Sequence, residues 1–428
     1  MDKPLDHVKS YYAATAHDAP PRARLGSDIT ADVCVIGGGF SGVASALSLA
    51  ERGRDVVLLE ANRIGWGASG RNGGQVLPGW SGEGEMVKQL GDRAQTFLRR
   101  TRYLGNEIIE KRIADYAIDC DYVRGAATVA LNAKQMAALE EEYNAAKAND
   151  DAAHFDLVNA DSIGKYVVSD IYCGGLVDRR AAHCHPLNLC LGEARAAADR
   201  GVRIFEGSAV EAIEHGSTAV VSTPSGKVKA KTVILAGNAY HKLEQKKLGG
   251  MMLPAQTFTI VTEKIGASRA DDVLPGNVAI CDANWALDYF RRTSDNRILF
   301  GGLCTYNNRD IANIEGALAP RLRKVFPQLA GVKVEFAWGG SIAIPLNRVP
   351  LIGRASNNVF YVQGYSGHGV NCSHIAGEIL ADAIEAKLGG VDLFEAVRHF
   401  KIPAANLVGN PLLALGMTWF RMRDALGF

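Results

Sequence analysis

The sequence predicts a mixed α/β and α+β chain: a discontinuous Rossmann-like domain interrupted by an inserted mixed or antiparallel β-sheet domain. Three observations predict it. Near the N-terminus an apolar strand, Ala31-Asp32-Val33-Cys34-Val35-Ile36, runs into a glycine loop, Gly37–Gly42, and then a helix of small residues. Near the C-terminus the same order returns, with Val359–Gln363, the loop Gly364–Gly369 and an apolar helix from Val370. Between them lie stretches such as Phe258-Thr259-Ile260-Val261-Thr262, which alternate apolar and polar residues in places and suggest an antiparallel sheet over 250–336.

At 428 residues the chain exceeds one ordinary core, so two structural units are expected. Residues 1–30 are polar, carry Pro20-Pro21, and read as an N-terminal arm lying on the surface. Residues 31–85, 160–245 and 335–428 are assigned to the Rossmann-like domain, and 86–159 with 246–334 to the inserted domain. Val43–Gly53 is a helix stopped by glycine, and Val56–Glu60 a second buried strand that completes a βαβ unit. Residues 84–160 look helical and charged, and 187–200 form another helix. Strands are expected at 202–204, 210–213 and 231–237, and Pro224-Ser225-Gly226 turns a hairpin between 219–223 and 227–229.

Lys and Arg number 47 against 46 Asp and Glu, a formal charge of +1, which gives no reason to expect a nucleic-acid partner. The eight cysteines form no CxxC pair and suit a reducing compartment. No apolar signal core opens the chain and no stretch approaches the ~20 apolar residues of a membrane span, so a cytoplasmic location is expected. The apolar, basic stretch 412–423 is expected to pack on the protein or on the mate of a homodimer in preference to a membrane. His183-Cys184-His185 looks like a metal pair, but no further ligand stands at a usual spacing, so no metal is expected.

Gly37-Gly38-Gly39-Phe40-Ser41-Gly42 fits GxGxxG in the context that gives the motif its meaning: a buried strand before it, a helix opening from it, and Glu60 ending the next strand. Gly37 allows the tight turn, Gly39 lets backbone approach a pyrophosphate, and Gly42 lets helix pack on strand. The helix N-terminus offers free N–H groups to phosphates, and the Glu60 carboxylate can accept from ribose hydroxyls. The glycines alone do not separate NAD from FAD. The stretch just after Glu60 does. Arg63–Gln75 is a second glycine-dense run, where an NAD domain usually continues into a packing helix. Backbone along Gly67, Ala68, Ser69, Gly70, Asn72, Gly73 and Gly74 suggests a longer cofactor, with Ser69 and Asn72 as donors to phosphate, ribitol or ring. The third glycine element, Gly364 to Val370 with Ser366, Gly367, His368 and Gly369, supplies another helix N-terminus, able to stabilise the negative charge of a reduced flavin.

These elements, with Ser10–Ala16, Arg63-Ile64-Gly65, Ser69–Gln75, His185–Leu189, Ala236–Tyr240 and Gly364–Val370, resemble the D-amino-acid oxidase-like family of FAD oxidoreductases nearly end to end, and within it the gamma-glutamylputrescine oxidase branch. The resemblance implies noncovalent FAD under a mixed β-sheet roof, with the adenine near Val210. It carries Ala61, Arg63, Gly237 and Asn238 into the expected cofactor site and leaves Cys304 unattached. It implies oxidation of a small amine by hydride transfer from the carbon next to nitrogen to flavin N5, giving an imine that hydrolyses. Oxygen or a quinone is the expected electron acceptor.

One departure is informative. Amino-acid oxidases of this family often hold the substrate carboxylate with an arginine where Ile344 stands in Ser341–Gly353. Losing that bidentate clamp favours an amine without an α-carboxylate. Arg292 or Arg348 could still serve an amino acid from another direction, so an oxidase or dehydrogenase of a cyclic amino acid such as L-pipecolate or proline is the alternative. A non-catalytic flavin-binding sensor is the alternative of another class. Tyr289, Arg292, His185, Trp338 and Ile344 are the expected substrate-side residues. No catalytic residue is assigned; His368 and Tyr289 are the candidates, and no dedicated base is required if the amine binds deprotonated.

Overall fold

The computed structural model describes residues 5–284, 287–305, 310–386 and 389–402. The stretch 412–423, expected to pack back on the protein, lies outside them. The strands are β1 (Ile29–Ile36), β2 (Val56–Leu59), β3 (Gln75–Val76), β4 (Val123–Ala130), β5 (Phe155–Asn159), β6 (Gly174–His183), β7 (Arg203–Phe205), β8 (Ala212–Glu214) and β9 (Ala219–Thr223). They continue with β10 (Gly226–Leu235), β11 (Met252–Thr262), β12 (Ala279–Asp282), β13 (Tyr289–Arg292), β14 (Ile298–Thr305), β15 (Val334–Pro345), β16 (Leu351–Ser356) and β17 (Val359–Gln363). The helices used below are α1 (Tyr11–Thr15), α2 (Phe40–Glu51), α3 (Glu83–Leu90), α4 (Asp92–Thr101), α5 (Leu104–Asp115), α6 (Ala133–Ala148) and α7 (Pro186–Asp199). Past them come α8 (Gln245–Leu248), α9 (Ala267–Asp271), α10 (Ile314–Val325) and α11 (Gly369–Ile384).

The first sheet runs β16-β17-β10-β1-β2-β7. Its central pairs, β17–β10, β10–β1, β1–β2 and β2–β7, are all parallel. Burial on both faces explains why β1 and β2 read as apolar runs without alternation. On one face Val33, Val35 and Leu58 pack against α2, α7 and α11. On the other, Cys34, Val57 and Leu59 pack against the β9–β10 hairpin and Leu248. Behind the sheet, Glu193 of α7 accepts from Arg112 Nη1 of α5 at 3.2 Å and meets His374 Nε2 of α11 at 3.0 Å. Burial pushes the Glu193 carboxyl up, but these two partners outweigh it and hold it below the usual range. Such a fully buried ion cluster fixes how the three helices register.

The second sheet runs β15-β11-β14-β13-β12-β4-β6-β3, with β5 beside β6. It is antiparallel except where β12 meets β4 in parallel. Its core is aromatic: Phe290 stacks on Phe300 at 5.8 Å between ring centres and meets Phe326 edge-on at 5.1 Å, under α10.

Three expectations are corrected here. Residues 84–160 are not all helical: α3 to α6 are interrupted by β4, and β5 follows, because the short β-branched and aromatic runs find partners in a sheet whose other strands lie far along the chain. Residues 174–183 and 334–345 join the second sheet, so the sheets do not divide at 160 or 335. The N-terminal arm is not wholly superficial. In α1, capped by Ser10, Tyr11 and Tyr12 are buried, packed among Leu187 of α7, Val261 of β11, Leu299 of β14 and Trp338 of β15.

Candidate active site

Parallel strands present their carboxyl ends on one edge, and a crevice there is where such sheets hold ligands. The loops leaving β1, β2, β7, β10 and β17 meet at that edge and form the floor of a cavity of about 910 Å³. It reaches from Ser208 and Val210 past the start of α2 to Tyr289 and Thr257 of the second sheet, which roofs it.

The floor is mostly backbone. At Gly37, φ is +110°, and a Cβ there would lie 2.7 Å from the Ala236 carbonyl oxygen. At Gly42 a Cβ would lie 1.8 Å from the Gly37 carbonyl oxygen, so α2 packs on its own loop at a distance only glycine permits. The Ser69 Oγ accepts from Phe40 N at 2.8 Å, which ties the second glycine loop to the head of α2. Glu60 accepts from Gly38 N at 2.6 Å and Asn62 N at 2.7 Å, leaving lone pairs free. Burial pushes its carboxyl up against the pull of those two N–H groups. The N-cap residues of α2 and α11, Gly39 and His368, supply no side-chain cap. Two helix heads without an N-cap side chain of their own, in one elongated cavity, suit a long ligand with anionic parts.

The roof is mostly side chain. Tyr289 Oη meets Thr259 Oγ1 at 3.2 Å, and its ring fills the space above Gly73 and Gly301. Burial pushes its phenol up to about 12. Gly340, Ile342 and Ala343 of β15 form the adjoining wall. Arg291 of β13 joins roof to floor: its Nε donates to Gly73 O at 2.7 Å, and its Nη2 to Cys184 O at 2.8 Å and Tyr12 Oη at 3.2 Å.

Of the residues expected from sequence, Gly37, Gly39, Phe40, Ser41, Glu60, Ala61, Gly67, Ala68, Ser69, Asn72, Gly73, Val210, Gly237, Asn238, Tyr289, Ser366, Gly367, His368, Gly369 and Val370 line this one cavity. Gly42, Gly70, Gly74 and Gly364 do not. They are packing positions, where a Cβ would lie 2.3 Å from Gly65 O at Gly70, 2.2 Å from Cys184 O at Gly74 and 2.9 Å from Pro345 Cγ at Gly364. Arg63 is also outside, because its Nε pairs with Glu206 Oε2 at 3.0 Å and its Nη2 donates to Ala19 O at 2.6 Å.

Four substrate-side expectations are corrected. Arg292 is held by Asp271 and Asn296 away from the cavity. His185 caps α7, its Nδ1 accepting from Asn188 N at 3.1 Å while Nε2 meets Thr15 Oγ1 at 3.1 Å. Burial lowers its pKa to about 3. Trp338 packs on Tyr12, 5.3 Å between ring centres, and donates to Arg71 O at 2.9 Å. Ile344 stands opposite Leu253 in the β15–β11 ladder, and its neighbours Ile342 and Ala343 line the wall instead. Neither histidine of the 183–185 pair is available together with the other, since His183 Nε2 bonds Asn277 O at 2.9 Å.

His368 Nε2 lies 3.0 Å from Pro78 O, an acceptor only, so that nitrogen carries the hydrogen. Burial lowers its pKa and keeps the ring neutral. Sequence reasoning missed Tyr365, whose Oη meets Ser41 Oγ at 2.8 Å across the floor, and Tyr240, Arg71 and Lys242 on the walls. Arg71 and Tyr240 stand inside motifs that carry the family resemblance, Ser69–Gln75 and Ala236–Tyr240; nothing in the sequence marks Tyr365 as the partner of Ser41.

The family described as FAD dependent oxidoreductase (DAO) matches residues 32–383. The chain belongs to that family. Its members depend on FAD, and this protein is an FAD-dependent oxidoreductase. Among its relatives, the gamma-glutamylputrescine oxidoreductase of Escherichia coli (strain K12) is 44% identical over 428 residues, covering 99% of both chains. A probable oxidoreductase OrdL of Haemophilus influenzae is 37% identical, covering 98% of both. The fold is that of glycine oxidase from Geobacillus kaustophilus, with a TM-score of 0.72 at 21% identity over 87% of this chain and 99% of that one. L-proline dehydrogenase from P. horikoshii gives 0.72 at 20% identity, over 87% and 98%. No described helix is long and apolar enough to cross a membrane.

Proposed function

We propose that this protein oxidises an open-chain amine of the gamma-glutamylputrescine type, in the cytoplasm, with noncovalently held FAD. The observation that carries this reading is the wall made by β15. Gly340, Ile342 and Ala343 offer the cavity no charge and no guanidinium to hold an α-carboxylate. An uncharged wall suits an aliphatic amine chain, whose methylenes gain by burial there. The 44% identity to a gamma-glutamylputrescine oxidoreductase supports the same substrate class.

Gly37 to Ser41 and Ser69 would hold the pyrophosphate, Glu60 the ribose, Val210 the adenine side, and Gly367 to Val370 the ring end. FAD, when bound, supplies the hydride acceptor. The chain's own residues do the rest. The α11 head stabilises negative charge. Tyr289, protonated at neutral pH, is a hydrogen-bond donor and not a base. His368, neutral and tied to Pro78, orders the loop before α11. The oxidised amine leaves as an imine that water hydrolyses once released.

A specific feature favours a second reading. Arg348 lines the cavity and makes no ion pair among the described residues, so it could meet the carboxylate of a cyclic amino acid. Anaerobic flavin bleaching separates the two. Bleaching by γ-glutamyl and N-acetyl derivatives of 1,4-diaminobutane is expected; bleaching only by L-pipecolate or L-proline overturns the first reading. Admitting oxygen, then a quinone, to the bleached enzyme identifies the acceptor.

A further inference from the structure

We propose that Arg71 is a specificity residue: it anchors a carboxylate carried by the substrate at the end remote from the reacting carbon. This rests on the amine-oxidase reading above and deepens it.

The guanidinium of Arg71 is a fixed fork at the cavity wall. Its Nε donates to Trp66 O at 2.9 Å, and its central carbon lies 4.4 Å over the Trp66 ring. Its own carbonyl is tied by the Trp338 indole, so the backbone is held as well. What the fork lacks is an acceptor. Nη2 is buried and has no hydrogen-bond partner among the described residues. Buried donors of charged groups are normally satisfied, so this one calls for a partner, and Arg71 lines the cavity in which a ligand can supply it. A guanidinium is a planar fork that can match a carboxylate in two parallel hydrogen bonds.

The contrast with Arg291 is direct, since that guanidinium spends its donors on Gly73, Cys184, Arg292 and Tyr12. Burial drives the Arg71 pKa down, opposed by neighbouring Tyr240 and Asp310.

Position argues for the remote end. The Arg71 side chain lies against Gly340, where a Cβ would sit 3.1 Å from its own Cβ. The Gly367 loop, at the head of α11, lies against Ile342, at 3.7 Å by the same measure. The two stand two residues apart along β15, roughly 7 Å. The wall along this stretch carries no charge, and the substrate chain is long enough to run past it.

The test uses purified holoenzyme, wild type, Arg71→Gln and Arg71→Lys. Anaerobic flavin reduction is titrated with γ-glutamyl-1,4-diaminobutane and with N-acetyl-1,4-diaminobutane, which shares the amine end and lacks the carboxylate. Glutarate binding is read separately, from perturbation of the flavin band. Arg71→Gln is expected to weaken γ-glutamyl-1,4-diaminobutane and glutarate by about 10- to 100-fold while leaving the acetyl compound within about twofold, with Lys intermediate. Equal losses on both amines, or none, overturn the proposal. So does loss of flavin from Arg71→Gln that added FAD restores, since Arg71 would then serve the cofactor. If neither amine bleaches the wild type, the amine reading fails by itself, and glutarate still decides the anchor: weakening in Arg71→Gln supports it and unchanged binding overturns it.

Discussion

The floor and the roof of the cavity are held by different means. The floor grips with backbone: loop amides, two helix heads whose N-cap residues add no side-chain cap, and glycines placed where a Cβ would collide. The roof grips with side chains: Tyr289 over Gly73, Arg291 reaching down to the floor loop, and the uncharged residues of β15. A backbone site tolerates almost no change at its glycines, whereas a side-chain site is re-cut one residue at a time. That division suits a family with one cofactor and many substrates.

The comparison is broken most severely at Gly42. Gly42→Val forces a Cβ onto the Gly37 carbonyl and is expected to destabilise by more than about 3 kcal/mol with near-complete loss of bound flavin. Flavin absorbance per chain and thermal unfolding check this. Arg291→Met tests the joint between floor and roof. It strips donors from Gly73 O and Cys184 O in the interior, and a loss of about 2–4 kcal/mol is expected, read from urea unfolding monitored at the flavin and at the protein. If the two signals still coincide and the midpoint does not move, Arg291 is no joint.

Asp282, in the roof, gives a pH signature. Burial, then the Asp288 carboxylate beside it, raises its pKa to about 7. A carboxyl raised in the folded state contributes stability that is complete below its unfolded pKa and is lost as pH rises through about 7. Asp282→Asn is therefore expected to match wild type at acid pH and to gain on it between pH 5 and pH 8, by on the order of 2 kcal/mol. Denaturation midpoints across that range show it; a constant gap refutes the assignment. The smallest effect is expected at Tyr289→Phe, which loses one 3.2 Å hydrogen bond to Thr259 and keeps the ring over Gly73. A change in kcat/KM of no more than a few-fold is expected.

The same division explains what could be read in the sequence. Gly37, Gly39, Ser69 and Gly367 announce themselves because backbone binding demands glycine and small polar residues at fixed spacing along consecutive elements. Arg292, His185 and Trp338 misled because a lone charged or aromatic residue carries no mark of its partner: Asp271 claims the first, Asn188 and Thr15 the second, Tyr12 and Arg71 O the third. β4 and β5 hid in a charged, helix-rich stretch because their partners, β12 and β6, come later in the chain. Register between distant strands is set by tertiary packing, which local pattern does not report.

The short helix α1 has a bearing on how the chain is built. Tyr12 is made well before Arg291 and Trp338, on which its seat depends. Until those arrive, two tyrosines wait without a core, and the segment that carries them is exposed to capture or cleavage. Its docking is then a closing latch on the finished joint, so clipping or displacing residues 5–16 after folding should loosen the seam between the two sheets before it disturbs either one.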